Sequence, residues 1–410
     1  MHKKVFQLGL TVLLAFWVSF SSFCLPATAL TVEQKLVAEV WRIVHRTYLD
    51  DTFNHQNWSV VRQKALAKPI TDKLAAYATI GGMLKSLDDP FTRFLDPEQY
   101  RSLQVNTSGE LTGVGLQIAL EPHTGQLEVV APITGSPAEK AGIRSRDRIL
   151  KIDGFPTEKL SLNEAAAKMR GAIGSTVTLV IGRENEADKE IQLVRDRIAL
   201  NPVVAELHSS PQKIPIGYIR LTQFNANAPM ELAHAISDLE TKGAVAYILD
   251  LRNNPGGLLQ AGIEIARLWL NSGTIVYTVN RYGIQDSFDA NGSALTPDPL
   301  VILVNQGTAS ASEILAGALQ DNHRAKLVGE TTFGKGLIQS LFELSDGSGL
   351  AVTIAKYETP NHRDIHKLGI QPDKVISSNL TTREQIATES DNQYQAAVEL
   401  LTKNLVVAGG

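Results

Sequence analysis

Four short apolar runs in the second half of the chain, Ile216 to Leu221, Val245 to Leu251, Leu300 to Val304 and Leu327 to Gly329, constrain the fold more than any other feature of the sequence. Apolar runs this short, without polar alternation, read as strands covered on both faces. Between them lie helical runs at Met230 to Leu239, Leu259 to Leu270 and Ser312 to Leu319. Strand and helix in alternation predict an α/β core, and an amphipathic segment from Thr382 to Leu401 predicts a helix that closes it.

The rest of the chain has a different texture. At 410 residues, 43% of them hydrophobic, the length predicts two or three domains. Residues 103 to about 197 carry short alternating stretches such as Leu127 to Val130 and Val177 to Ile181, Gly and Pro turns, and one helical run, Leu162 to Met169. That is a compact mixed domain. Upstream, Thr31 and Gln34 form a capping-box pattern, and Leu36, Val37, Val40, Ile43 and Val44 recur at helical spacing. Helical stretches reach Leu87, and Asp88-Asp89-Pro90 and Asp96-Pro97 bound a helical region ending near residue 101, more a brace than a catalytic unit. The expected division is 1–29, 30–101, 102–197 and 198–410.

The amino terminus reads as an export signal. Lys3 and Lys4 precede an apolar run from Val5 to Phe20, then Pro26-Ala27-Thr28-Ala29 places small residues at the positions a signal peptidase reads, which predicts cleavage after Ala29. A retained membrane anchor is the alternative, but the run is short for the roughly 20 residues of a spanning helix. The sole cysteine, Cys24, falls inside this segment, and Ser21-Ser22-Phe23 before it does not suit a lipoprotein signal. The exported chain therefore has no thiol, which excludes disulfides, thiolate metal sites and a cysteine nucleophile. A net charge of -4 gives no basic stripe for nucleic acid. Hydroxyls, amines and carboxylates remain for any chemistry.

Three runs bring such groups to turns. Val304-Asn305-Gln306-Gly307-Thr308-Ala309-Ser310-Ala311-Ser312-Glu313 lies where a strand meets a helix. A nucleophile there projects from a tight turn, and unpaired N–H groups at the helix start can receive an oxyanion; the same serines and threonine are also ordinary helix caps. Gly329-Glu330-Thr331-Thr332-Phe333-Gly334-Lys335-Gly336-Leu337-Ile338-Gln339 sets one lysine between glycines, with Phe333, Leu337 and Ile338 as expected apolar surroundings and Gln339 placed to orient the amine. A lysine serves as base to a serine only when desolvation brings its pKa from ~10.4 toward ~7, a differential cost of roughly 4 kcal/mol. The run also matches a P-loop, except that Gly336 stands where a magnesium-binding Ser or Thr belongs, and no Walker-B partner is evident. Leu249-Asp250-Leu251-Arg252-Asn253-Asn254-Pro255-Gly256-Gly257 is a strand entering a glycine turn, either half of an oxyanion hole or a plain connection. His362-Arg363-Asp364-Ile365-His366 offers two histidines without a third ligand and reads as a solvated loop.

Together these runs resemble the carboxyl-terminal processing proteases, the tail-specific serine peptidases, over nearly the whole exported chain. The resemblance implies an α/β Ser/Lys protease core with an inserted PDZ domain and no cofactor, nucleotide or metal. It implies Ser310 as nucleophile, Lys335 as base 25 residues later, Gln339 in support, and the N–H groups of Gly256 and Ala311 as oxyanion donors. Positions linked to activity in some members fall on Asp321, Glu313 and Thr332, to which the residue chemistry alone assigns no role. Thr112-Gly113-Val114-Gly115-Leu116-Gln117-Ile118 is similar to a PDZ carboxylate-binding loop, in which Gly113, Val114, Gly115 and Leu116 offer amides to a chain terminus; Gly135 to Ile143 and Asp147 to Gly154 continue that signature. Arg170 matches a position that couples this domain to the active site in some relatives. Tyr247 to Gly262 and Lys356 to Pro360 look like the cyanobacterial and plastid branch, whose substrate is the precursor of the photosystem II D1 protein. The implied setting is the thylakoid lumen or periplasm, with peripheral membrane association. Two other readings stand beside this one: a general envelope protease that degrades many exported proteins, and a non-catalytic scaffold that binds tails through its PDZ domain.

Overall fold

The computed structural model describes residues 30–408 apart from Pro122 and Ile284; the segment expected to be an export signal, with Ala29 at its expected cleavage point, lies outside the described residues. The chain divides into two units, one comprising residues up to Pro97 with Leu341–Val352, the other Glu98–Ser340 with the chain from Thr353 onward.

In the first unit the helices Val32–Thr47, Trp58–Leu66 and Lys73–Lys85 begin at side-chain caps. The capping box is present: Gln34 N donates to the Thr31 hydroxyl at 3.2 Å and Thr31 N to Gln34 Oε1 at 3.1 Å. Leu36, Val37, Val40 and Val44 are buried along one stripe of the first helix, as their spacing requires. Trp41 and Trp58 lock the first two helices by reciprocal indole-to-carbonyl bonds of 2.8 and 3.1 Å. The Asp96-Pro97 pair opens a helix, Pro97–Ser108, that runs past residue 101. Proline suits a first helical position, where its missing N–H costs nothing.

The second unit contains two sheets with their own cores. Strands between Leu116 and Val194 form one, around Val129, Ile149, Ile152, Val177 and Leu179, with the helix Leu162–Met169 packed on it. The larger has the order Val203–Ser209, Pro215–Leu221, Tyr247–Asp250, Leu300–Val304, Ala325–Gly329, Lys374–Val375; the last five strands are parallel and the first is an antiparallel edge. Side chains alternate across it. Ile219, Leu249, Ile302 and Leu327 face a core shared with helices Ala228–Thr241, Leu259–Arg267 and Ala311–Asp321. Ile216, Tyr218, Ile248, Val301 and Val328 face the closing helix, which contributes Tyr394, Ala397, Val398 and Leu401.

That helix runs Asn392–Ala408, starting about ten residues later than the amphipathic pattern suggests, because Arg383–Gln385 forms a separate short turn and Asp391 caps the helix, accepting Tyr394 N at 3.1 Å. A further antiparallel sheet has no counterpart in the sequence reading: Thr274–Asn280 pairs with Gln285–Asp289 and with residues 355–358. For the site, the decisive point is that strands Tyr247–Asp250 and Leu300–Val304 are parallel neighbours. Their carboxyl ends deliver residues 251–257 and 305–310 to the same edge, where α/β sheets place ligands.

Candidate active site

Ser310 precedes the first residue of helix Ala311–Asp321 and has φ 58° and ψ -120°, a conformation that costs a non-glycine residue roughly 1–3 kcal/mol. Something must hold it there. Glu313, three residues on and fully buried, is that anchor: its Oε2 accepts Ser310 N at 2.9 Å.

The same carboxylate reaches the lysine loop. Oε2 also accepts Lys335 N at 2.9 Å, while Oε1 accepts Gly334 N at 2.7 Å and the Thr332 hydroxyl at 2.5 Å. One oxygen thus joins the backbone nitrogens of Ser310 and Lys335, which lie no further apart than twice that bond length. Thr332 is fixed from its other side by Ile370 N at 2.7 Å. Two further bridges tie the loops. The buried Tyr357 hydroxyl donates to Ser310 O at 3.1 Å while Tyr357 N donates to Gly336 O at 3.0 Å, and Phe333 N donates to Thr308 O at 3.0 Å. Burial pushes the Tyr357 phenol well above its ordinary value, with the Glu313 charge adding to the effect, so it stays a hydrogen-bond donor.

Inward and outward positions alternate along the lysine loop: Thr332, Gly334 and Gly336 are buried, Lys335 is half-buried, and Phe333 is 58% exposed. The expectation that Phe333 encloses the lysine is therefore corrected, because Thr332 takes the inward place to reach Glu313. Leu337 and Ile338 are half-buried, and Ile338 packs on the core. Gln339 Nε2 makes a long 3.4 Å bond to Thr353 Oγ1. The P-loop alternative fails on topology, since the residue run after Lys335 enters a strand, Leu337–Glu343, where a nucleotide loop requires a helix.

The glycine turn meets the nucleophile turn at van der Waals limits. Gly256 has φ 91°, and a Cβ there would stand 2.6 Å from Ala309 O and 2.8 Å from Ala311 N, so only glycine fits. Its N–H donates to Asn254 Oδ1 at 2.9 Å. As an oxyanion donor it must share or release that bond. Asn254 is fully buried and spends every polar atom: Nδ2 on Leu221 O, and its carbonyl on Ala309 N and the Ser312 hydroxyl. Ala311 opens the helix, where the N–H has no intrahelical acceptor.

Asp321 stands at the other end of the nucleophile helix, about 16 Å from Ser310 at 1.5 Å per residue. Its carboxylate binds Arg363 and accepts Asn361 N at 3.0 Å, anchoring the loop that contains His362. His362 itself stacks on Tyr277 at 4.3 Å and lies 3.2 Å from Glu358. Among the described residues no group of three His, Cys, Asp or Glu side chains is arranged to hold a metal ion.

In the smaller sheet, Gly113, Val114, Gly115, Leu116 and Arg170 line one cavity of about 80 Å³ with Leu111, Ile118, Ala166 and Met169. Gly115, at φ 77°, passes so close to Ser136 that a Cβ would stand 2.2 Å from the serine Cβ. Arg170 ends the helix Leu162–Met169 at the rim of this cavity.

Sequence reasoning passed over Arg252 and Asp391. Arg252 is buried between Asp250 and Asp391, with bonds of 2.6 and 2.8 Å from one guanidinium nitrogen to the two carboxylates. The available signal was an Asp and an Arg two residues apart at the end of an otherwise apolar strand; the second acid, 139 residues further on, gave none.

Residues 215–376 match peptidase family S41, and residues 128–183 match a PDZ domain. The chain is 60% identical to the carboxyl-terminal-processing protease of Synechocystis sp. over 383 residues, 93% of this chain and 90% of that one. It is 46% identical to carboxyl-terminal-processing peptidase 2, chloroplastic, of Arabidopsis thaliana, over 88% of this chain and 72% of that one. Among solved structures, a photosystem II D1 C-terminal processing protease superposes with TM-score 0.56 at 41% identity, covering 85% of this chain and 94% of the other. A strained serine at the head of a helix, an α/β core and a PDZ domain thus find one common explanation: the chain belongs to the carboxyl-terminal-processing proteases of peptidase family S41, serine-type enzymes that cut proteins near their carboxyl ends.

Proposed function

We propose that this enzyme removes the carboxyl-terminal extension of the D1 precursor by acyl transfer at Ser310, with Lys335 as the base. The observation that carries the reading is the Glu313 carboxylate, which fixes the backbones of Ser310 and Lys335 on one oxygen. Neutral Lys335 takes the hydroxyl proton as Ser310 Oγ attacks the scissile carbonyl, and the displaced electron pair settles on the carbonyl oxygen. Ala311 N–H at the helix start, and Gly256 N–H shared with Asn254, stabilise that charge. Collapse breaks the C–N bond, the Lys335 ammonium returns the proton to the leaving amine, and water, activated by the same lysine, hydrolyses the ester. Glu313, Thr332 and Tyr357 hold the frame, Gln339 supports the lysine strand, and Asp321 secures the far end of the helix.

Tail recognition belongs to the loop Gly113 to Leu116, whose cavity admits a small apolar terminal side chain, with Arg170 at its rim. The likeness to a D1-processing structure and to cyanobacterial and chloroplastic relatives supports D1 as substrate, and with it an exported location in lumen or periplasm. Peripheral attachment to the membrane that holds D1 fits the same reading; among the described residues no helix is long and apolar enough to cross a membrane. Net charge -4 gives no support for nucleic acid as a partner.

The test is cleavage of D1 precursor by the chain from residue 30 onward. The wild type should make one cut near the carboxyl end and stop, whereas Ser310→Ala and Lys335→Ala should each lose at least about 10³-fold in kcat while remaining folded. Processive degradation of unrelated unfolded proteins at the same rate would instead identify a general envelope protease. Binding of the tail without cleavage by the wild type would identify a scaffold.

A further inference from the structure

We propose that Asp391, at the head of the closing helix, is a positioning residue for peptide cleavage: through Arg252 it fixes the turn that presents Gly256 to the nucleophile. The proposal rests on the reading of Ser310 and Gly256 given above. Its observation is a closed set of buried polar groups. Arg252 is 5% exposed and fills its fork entirely: Nε and Nη2 reach Asp250 at 3.0 and 2.6 Å, Nη1 and Nη2 reach Asp391 at 2.9 and 2.8 Å, and Nη1 reaches Gln393 Oε1 at 3.1 Å. Asp250 also accepts the Tyr218 hydroxyl at 2.8 Å.

Such a cluster is a poor device for stability alone, since apolar side chains of equal volume commonly serve as well or better. What it supplies is placement. Two residues after Arg252, Asn254 begins the contacts already described, to Gly256 N–H, Ala309 N and the Ser312 hydroxyl, and between them Asn253 exchanges bonds of 2.9 and 3.0 Å with Asn305. The root of the glycine turn is therefore clamped by a carboxylate from a segment 139 residues downstream. Displacement of a positioned group by about 1 Å costs up to ~10²-fold in rate, and an arginine with one carboxylate removed is no longer held from that side.

Asp391 has a second occupation, as acceptor for Tyr394 N and Ala387 N at 3.1 and 3.0 Å. One variant separates the cap from the charge. Asparagine caps a helix as well as aspartate does, so Asp391→Asn with its oxygen toward Tyr394 N keeps the cap, while its NH2, turned toward Arg252 Nη2 and Ala387 N, removes the charge that holds Arg252 and gives up the Ala387 bond. With the chain from residue 30 onward and a D1-tail peptide as substrate, Asp391→Asn should lose at least about tenfold in kcat with KM within twofold. Affinity for a peptide boronate, which places a tetrahedral oxyanion beside Gly256, should fall by the same factor, while affinity for an uncleavable tail peptide stays unchanged. A folded Asp391→Asn with wild-type kcat and boronate affinity overturns the proposal, as does a loss that tracks only the melting temperature and vanishes on cooling. Should that variant not fold, Gln393→Leu, which removes the 3.1 Å bond to Arg252 and with it the 2.7 Å bond to Ile376 O, should show the same split at about threefold, and an unchanged kcat there overturns it equally. Ser310→Ala in parallel separates the two readings: if it cleaves normally the dyad is wrong, and if it is inactive while Asp391→Asn is unaffected only the clamp is wrong.

Discussion

Two turns meet at the edge of the central sheet, and each is held by a buried carboxylate in a different way. Glu313 accepts three backbone N–H groups and one hydroxyl, all neutral, whereas Asp250 and Asp391 share a guanidinium. The difference follows from distance to the reacting atoms. Beside Ser310 and Lys335, backbone dipoles fix geometry without placing a second cation next to the amine. Below the glycine turn no reacting atom is touched, and a full ion cluster is tolerated. Damage to the first region should therefore fall mainly on rate, and damage to the second on both rate and stability.

The sharpest way to break this contrast is Glu313→Gln. Whichever way the amide turns, its NH2 faces backbone donors, leaving at least one buried N–H unpaired at about 1–3 kcal/mol. Loss of about 10²-fold or more in kcat with little change in KM is expected, read from peptide kinetics; equal loss in binding and rate would put Glu313 outside the catalytic frame. Arg252→Met strands two buried acids, and removal of one partner from a buried cluster costs about 3–5 kcal/mol. Urea denaturation should show that loss, together with a fall in kcat of about tenfold.

Tyr357→Phe is gentler. Ser310 O also accepts Glu313 N at 2.8 Å and Ile314 N at 3.0 Å, so it stays satisfied, and a change of only a few-fold in kcat is expected. The smallest effect is on acid stability. Burial alone would raise the Asp391 carboxyl, but its bonds and attraction to Arg252, with the Tyr394 and Ala387 amides, bring it below its ordinary value. A lowered folded value means stability that is full above the unfolded pKa of about 3.9 and is lost as pH falls through the folded value. Melting temperatures taken between pH 5 and pH 2 should fall, and should fall less in Asp391→Asn.

The parallel core was legible because its strands are short apolar runs separated by helical periods; Leu300–Val304 and the helix Leu162–Met169 are found where the pattern places them. The Ser310 and Lys335 turns announced themselves through glycine and strand-to-helix punctuation. Phe333 misled because a loop hides which side chain faces inward, and here Thr332 claims that place through Glu313. The sheet around Thr274–Asn280 was missed because its members mix polar and apolar residues without a clean period of two. Asp391 was invisible for a plainer reason: a capping Asp before a helix looks the same whether or not an arginine from another strand lies against it.

The most direct measurement of the central claim is covalent capture. Treated with a tail-peptide phosphonate and mapped by mass spectrometry, the chain from residue 30 onward should carry a single adduct on Ser310. The adduct should form at least about 10²-fold more slowly in Lys335→Ala. An adduct on another residue, or capture at an undiminished rate without Lys335, would contradict the account.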